Sequence, residues 1–204
     1  FTSPISGPTG VKMNGPYDYV PPVYWYEDKA LGGAFGFNTE VGPGPQVPLR
    51  KSLEKMIPES NLWPYGNSSW RFHAGQKNFA SMDVYLEAIN RRFGESGDLD
   101  EFDMKAQWIN YEAVKAMFEA HVVNRPLSTG VIQWQLNSPW PELFWQLYDW
   151  YLMPTGAYYG TKKACQPVSP IYNYYDRKVY ACNDGRLDLD GCKVGMTLFD
   201  SNSS

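Results

Sequence analysis

Cysteine and histidine are scarce in this 204-residue chain, and their positions exclude much chemistry. The three cysteines, Cys165, Cys182 and Cys192, fit neither a zinc cluster nor a Cys-x-x-Cys redox motif. The two histidines are isolated: His73 falls in a loop and His121 continues a helical pattern, so neither reads as a metal ligand or a general base. No metal or other cofactor is expected. Basic runs are also missing. With a net charge of -4 and scattered Lys and Arg, the chain lacks the electrostatic footprint of a nucleic-acid partner. No apolar run approaches the roughly 20 residues of a membrane span, so no membrane partner is expected. The opening Phe1-Thr2-Ser3-Pro4 has neither a charged leader nor an apolar signal core, which reads as a chain already processed or cut from something longer.

Aromatic residues are abundant instead. Eight Trp, 15 Tyr and 10 Phe make up 16% of the chain, and such flat amphipathic rings suit sugar-binding clefts, where a pyranose face packs on a ring and polar edges take hydroxyls. Core packing competes for every one of them. Cys182 and Cys192 are placed to pair across a hairpin, which would leave Cys165 free. Asn67-Ser68-Ser69 and Asn202-Ser203-Ser204 are glycosylation sequons. Together these features lean toward a secreted or extracellular protein, with a lysosome- or vacuole-like compartment as the alternative.

The most informative stretch runs from Gly32 to Gly42. Small and aromatic residues alternate through Ala34, Phe35, Gly36 and Phe37, polarity arrives at Asn38, Thr39 and Glu40, and Gly42-Pro43-Gly44-Pro45 stops the run. This is a short buried strand ending in a carboxylate. A (β/α)8 barrel keeps its catalytic groups at such strand ends, although a Glu there can also simply face solvent. Residues 1 to 31, rich in Pro and carrying Tyr17, Tyr19, Tyr24, Trp25 and Tyr26, read as a long packed loop. Leu49, Leu53 and Ile57 mark a short amphipathic helix ended by Pro58, a second helix runs from Ser81 to Gly94, and a third from about Asp100 to Val123. Val131 to Leu136 form a second strand with a polar tip at Asn137 and Ser138, followed by an expected aromatic-rich helix over Glu142 to Leu152. After Cys165 three short strands are expected, Ile171 to Tyr175, Lys178 to Asn183 and Lys193 to Asp200.

Strand, polar tip, helices, strand, polar tip is the repeating unit of a parallel barrel. The expected fold is α/β: residues 1–165 as the C-terminal portion of a (β/α)8 TIM barrel, and residues 166–204 as the first strands of an immunoglobulin-like β-sandwich. Two barrel strands cannot bury their own edges, so the remaining part of the same barrel is expected as a partner, in another chain or in a segment preceding Phe1.

Three ordered motifs carry a resemblance: Gly36-Phe37-Asn38-Thr39-Glu40, Thr129 to Trp140, and Trp145-Gln146-Leu147-Tyr148-Asp149 through Gly156 to Ala164. They resemble glycoside hydrolase family 2, and within it the exo-β-D-glucosaminidases. Tyr174-Tyr175-Asp176-Arg177 is similar to the entry into the sandwich that follows the barrel there. The resemblance implies a retaining mechanism on β-linked amino-sugar oligosaccharides, with Glu40 as the nucleophile at the tip of the seventh barrel strand. It also implies sugar contacts for Trp134, Asn137 and Trp140, with Tyr24, Trp25 and Asn38 beside them. The nucleophile must stay ionised, and Asn38, Thr39 or an aromatic hydroxyl would donate to it. The family's acid/base lies on the fourth strand, expected before Phe1; Asp18, Glu27, Asp28 and Glu142 are the carboxylates inside the chain weighed for that role. A β-mannosidase or endo-β-mannosidase of the same family is the alternative activity, and a non-catalytic carbohydrate-binding or structural remnant the alternative of another class.

Overall fold

The computed structural model describes residues 2–5, 7–13, 15–27, 33–75 and 81–200. Three short strands open the chain, β1 (Thr2–Ser3), β2 (Gly7–Pro8) and β3 (Val11–Lys12), followed by α1 (Val23–Glu27) and β4 (Gly36–Val41). Then come α2 (Arg50–Met56), a 3-10 turn (Glu59–Asn61), α3 (Ser68–His73), α4 (Asp83–Phe93), the long α5 (Leu99–Val123) and β5 (Ser128–Gln133). The described part ends with α6 (Gly156–Ala164) and the strands β6 (Val168–Tyr172) and β7 (Val179–Asn183). The architecture is mixed α/β.

A three-stranded parallel sheet in the order β3-β4-β5 is its centre. Val11 pairs with Phe37 and Lys12 with Asn38, while on the other side Gly36 pairs with Ser128 and Val41 with Gln133. Parallel strands point the same way, so Lys12, Glu40 and Gln133 lie toward one end of the sheet. The proline-rich opening is therefore not wholly irregular: Val11–Lys12 covers the β4 edge that sequence patterning leaves bare.

Asp98 caps α5 by accepting from the Glu101 N–H, and Gly94 stops α4 as its spacing predicts. The front half of α5 buries Phe102, Ala106 and Ile109 against Leu53 of α2, Ile57 just after it, Trp70 of α3, and Tyr85 and Ile89 of α4. Its rear half buries Val114, Met117 and Ala120 with Trp25, Tyr26, Val41, Leu147 and Ala157. The helix between β4 and β5 thus belongs to two cores, one along the smaller helices and one under the sheet.

Three expectations are corrected here. Residues 142–152 form no helix. Trp145 and Leu152 have positive φ (58° and 62°), and the Asp149 carboxylate takes the backbone N–H groups of Tyr151 (2.8 Å) and Met153 (2.9 Å). The Leu147 and Tyr148 N–H groups bond back to the Gln135 and Leu136 carbonyls instead of along a helix. Only two of the three late strands form, β6 pairing antiparallel with β7; Lys193 to Asp200 are exposed and adopt no strand. Without that third strand nothing brings Cys192 to Cys182, and all three cysteines are free thiols. Asn67 caps α3, its Oδ1 accepting from Ser69 N (3.0 Å) and its Nδ2 donating to the carbonyls of Asn61 (2.7 Å) and Pro64 (3.0 Å). Both amide hydrogens of this sequon asparagine are thus engaged within the fold; Asn202 lies outside the described residues.

Helices α5 and α6 approach closely because α6 carries glycines at the contact. A Cβ at Gly160 would sit 2.3 Å from the Tyr111 carbonyl oxygen, and one at Gly156 2.0 Å from that of Gln107. Gly160→Ala should therefore lower stability by about 1–3 kcal/mol, seen as a reduced unfolding midpoint. Gly195→Ala, where a Cβ meets nothing within 4 Å, should leave the midpoint unchanged.

Candidate active site

Glu40 occupies the penultimate position of β4, half-buried, at the C-terminal end of the parallel sheet. The polar residues before it turn out to splice the chain together. Asn38 is wholly buried and donates through Nδ2 to the Gly15 carbonyl (3.1 Å), while its Oδ1 accepts from the Glu40 N–H (3.4 Å). Thr39 donates to the Lys12 carbonyl at 3.1 Å. These bonds hold Lys12 and Gly15 beside β4, and two more continue the alignment past its end: Gly42 N to Pro16 O and Gly44 N to Tyr17 O, each 3.2 Å.

Held this way, Tyr17 donates its hydroxyl to Glu40 Oε1 at 2.7 Å. Burial first, and then the hydrogen bond and the charge of Glu40, push the Tyr17 hydroxyl up to about 12. The phenol keeps its proton at any physiological pH, so it is a permanent donor to the carboxylate. Such a donor favours the ionised form, which a nucleophilic carboxylate requires. Sequence reasoning anticipated an aromatic hydroxyl here but did not single out Tyr17; its only local signal is an aromatic ring after Gly15-Pro16 in a segment too rich in rings to be a tether.

The tip of β5 lies alongside. The Trp134 N–H bonds to the Val41 carbonyl (2.8 Å), the Trp134–Gln135 peptide is cis, and the Trp134 side chain is 42% exposed. Asn137 is exposed and bridges to Tyr148. Trp140 is half-buried, its ring stacked on His73 at 5.7 Å with an interplanar angle of 23° and edge-on to Phe72 at 5.7 Å. Trp134 and Asn137 are thus available to a ligand, and Trp140 has one face engaged. Trp25 is different. It is completely buried in the core beneath the sheet and does not wall a pocket, while half-buried Tyr24 meets it edge-on at 5.2 Å. Asn38, fully buried and internally bonded, supports the backbone of Glu40 and does not reach a substrate.

Among the described residues, none of the carboxylates weighed as acid/base ends a parallel strand. Glu27 closes α1 and is exposed, Asp18 follows Tyr17 in an irregular segment, and Asp28 lies outside the described residues. Glu142 sits in the loop after β5, where Gln135 Nε2 donates to it at 3.2 Å and burial raises its carboxyl above the usual range. No group of three or more potential metal ligands occurs among the described residues. Both ring nitrogens of His73 face backbone carbonyls, of Pro141 at 2.7 Å and Met56 at 2.9 Å, leaving none for a metal.

No family model matches the chain. Curated relatives do. The exo-β-D-glucosaminidase of Amycolatopsis orientalis is 40% identical over 97% of this chain and 20% of its own length. That of Arthroderma benhamiae is 40% identical over 96% of this chain and 23% of its own. The crystal structure of Amycolatopsis orientalis exo-chitosanase CsxA superposes with a TM-score of 0.80 at 42% identity, covering 89% of this chain and 22% of CsxA. The chain is therefore homologous to glycoside hydrolases that act on β-linked sugars. Within that class the resemblance to family 2, and to the exo-β-D-glucosaminidases in particular, holds in sequence and backbone over nearly the whole chain, which spans about a fifth of these relatives' length.

His121 supplies a pH test of the scaffold. Its Nδ1 lies 2.6 Å from Ser128 Oγ, and burial, then the charge of Lys12, pushes the ring down to about 4. An unfolded histidine titrates near 6.5, so below that pH the unfolded chain binds a proton the folded one refuses. The stabilisation is complete above about pH 6.5 and fades as pH falls toward 4, by about 3 kcal/mol in all. Denaturation midpoints from pH 7 to 4.5 should fall more steeply in the wild type than in His121→Leu.

Proposed function

We propose that the chain is the nucleophile-bearing part of a retaining exo-β-D-glucosaminidase that removes terminal β-linked glucosamine from chitosan-type oligosaccharides. The observation that carries this reading is the Tyr17–Glu40 hydrogen bond at the C-terminal end of a parallel sheet. A carboxylate there, with a protonated phenol on one oxygen, suits attack on an anomeric carbon. In the first step the free Glu40 oxygen attacks the anomeric carbon from the face opposite the leaving group. A second carboxyl, roughly 5 to 5.5 Å away, protonates the departing glycosidic oxygen. Water, deprotonated by that same group, then displaces Glu40 and leaves the product with its β configuration. The acid/base comes from the remaining part of the enzyme, since no carboxylate described here ends a neighbouring strand.

In this reading residues 1–165 are the C-terminal part of a (β/α)8 barrel and 166–204 the opening of an immunoglobulin-like sandwich in a secreted enzyme. The parallel order β3-β4-β5 with the α5 crossover supports the first part. The β6–β7 hairpin supports the second; it is fastened to the scaffold by the Arg125–Asp184 ion pair (2.6 Å) and by Tyr174 Oη donating to Glu112 (3.4 Å). Exposed Trp134 and Asn137 border the sugar site, and the outward edge of Trp140 completes its rim.

The test is Glu40→Ala in the full-length protein, assayed on an aryl β-D-glucosaminide. Turnover should fall by orders of magnitude with sugar binding preserved, and azide should restore part of it. Azide enters the face that Glu40 vacated, so the product should be the α-glycosyl azide. Wild-type turnover in Glu40→Ala would overturn the assignment.

A further inference from the structure

We infer that Trp145 is a positioning residue for Glu40, acting through Tyr17: its indole fixes the Tyr17 backbone so that the phenol stays on the carboxylate. The inference rests on the reading of Glu40 as nucleophile and adds a residue to it. Trp145 Nε1 donates to the Tyr17 carbonyl at 2.7 Å, and the two rings meet edge-on at 6.1 Å. That carbonyl also accepts from Gly44 N, so two donors from separate segments converge on one backbone oxygen. The Tyr17 side chain begins at the residue so clamped and ends on Glu40 Oε1 at 2.7 Å.

Three features make this more than packing. First, Trp145 has φ 58°, a left-handed conformation that is unfavourable for a bulky side chain and persists only where surrounding contacts impose it. Second, those contacts come from the tip of β5: the Trp145 carbonyl accepts from the Gln135 N–H and from Gln133 Nε2 (3.3 Å). Third, the indole lies directly on the backbone leaving β4. A Cβ at Gly42 or Gly44 would fall 2.9 or 2.7 Å from its Cδ1, so these positions admit the ring only as glycines. The ends of β4 and β5 are thereby linked through one strained tryptophan, and the atom it holds carries the donor to Glu40. A shift of about 1 Å in a positioning group costs as much as 100-fold in rate.

The experiment replaces Trp145 in the full-length protein with β-(3-benzothienyl)alanine, which exchanges the indole N–H for sulfur at nearly constant shape; Trp145→Phe is the second variant. Two readouts are taken: kcat and KM on an aryl β-D-glucosaminide, and the 19F signal of 3-fluorotyrosine at position 17, which reports the phenol's hydrogen bond at neutral pH. Both variants should lower kcat by about 10- to 100-fold with KM changed less than about twofold. They should move the 19F signal in the direction that Glu40→Gln moves it. Combined with Tyr17→Phe, they should cost no more than Tyr17→Phe alone, because the effect runs through the same hydroxyl. Unchanged kcat and 19F signal, a loss of stability alone, or losses that multiply in the double variant would overturn the inference. If the wild type does not cleave the glucosaminide, the functional reading fails separately, and the 19F signal alone decides whether Trp145 positions Tyr17.

Discussion

A parallel strand cannot be joined to its neighbour by a tight turn, and this constraint organises the molecule. To lie beside β4 in the same direction, β5 must be reached by a return path as long as the sheet, and α5 provides it. That helix has to touch both the sheet it returns along and the smaller helices that lead into it, which is why its two halves bury against different partners. Its contact with α6 is closer than side chains allow, so Gly156 and Gly160 occur where the Gln107 and Tyr111 carbonyls approach. The reward of the parallel arrangement is geometric: strand tips with different sequences arrive at one edge, where Glu40 meets Tyr17 and where Trp134 stands beside Val41.

The same edge is where backbone regularity ends. Asn38 and Thr39 spend their side chains on carbonyls of residues 15 and 12, and Gly42 and Gly44 donate to Pro16 and Tyr17. These bonds tie Lys12 and the Gly15–Tyr17 segment to β4, and they carry the phenol of Tyr17 to the carboxylate. Burial first, and then the hydrogen bond and charge of Glu40 itself, raise the Tyr17 hydroxyl to about 12, so the group beside Glu40 donates and does not compete for charge. Structure and chemistry thus depend on the same few bonds: loosening residues 12–17 from β4 would unsettle the donor before it unsettled the fold.

Periodic features were legible in the sequence. The apolar spacing of α2, α4 and α5, the Gly94 stop and the polar tip of β4 all appear where hydrophobic pattern and turn chemistry place them. What escaped depended on contacts distant in sequence. Val11–Lys12 is too short to show alternation, yet it is a strand because β4 offers it a parallel edge. Residues 142–152 have helical composition, but the Asp149 carboxylate and the carbonyls after β5 take their N–H groups first. Trp25 and Asn38 looked like ligand contacts by residue type, whereas burial assigns one to the core and the other to the Gly15 carbonyl. A disulfide between Cys182 and Cys192 required a third strand that the exposed residues after β7 do not form.

The central claim is that Glu40 becomes covalently bonded to the sugar. An activated 5-fluoro-β-D-glucosaminyl fluoride supplies the direct test: its leaving group speeds the first step, and the ring fluorine slows departure from the enzyme by destabilising positive charge at the anomeric centre. Incubation with the full-length protein followed by peptide mass spectrometry should find the added fluoroglycosyl mass on the peptide containing Glu40, at Glu40 itself. The same mass on a different carboxylate, or turnover of the substrate with inversion and no label, would contradict the account.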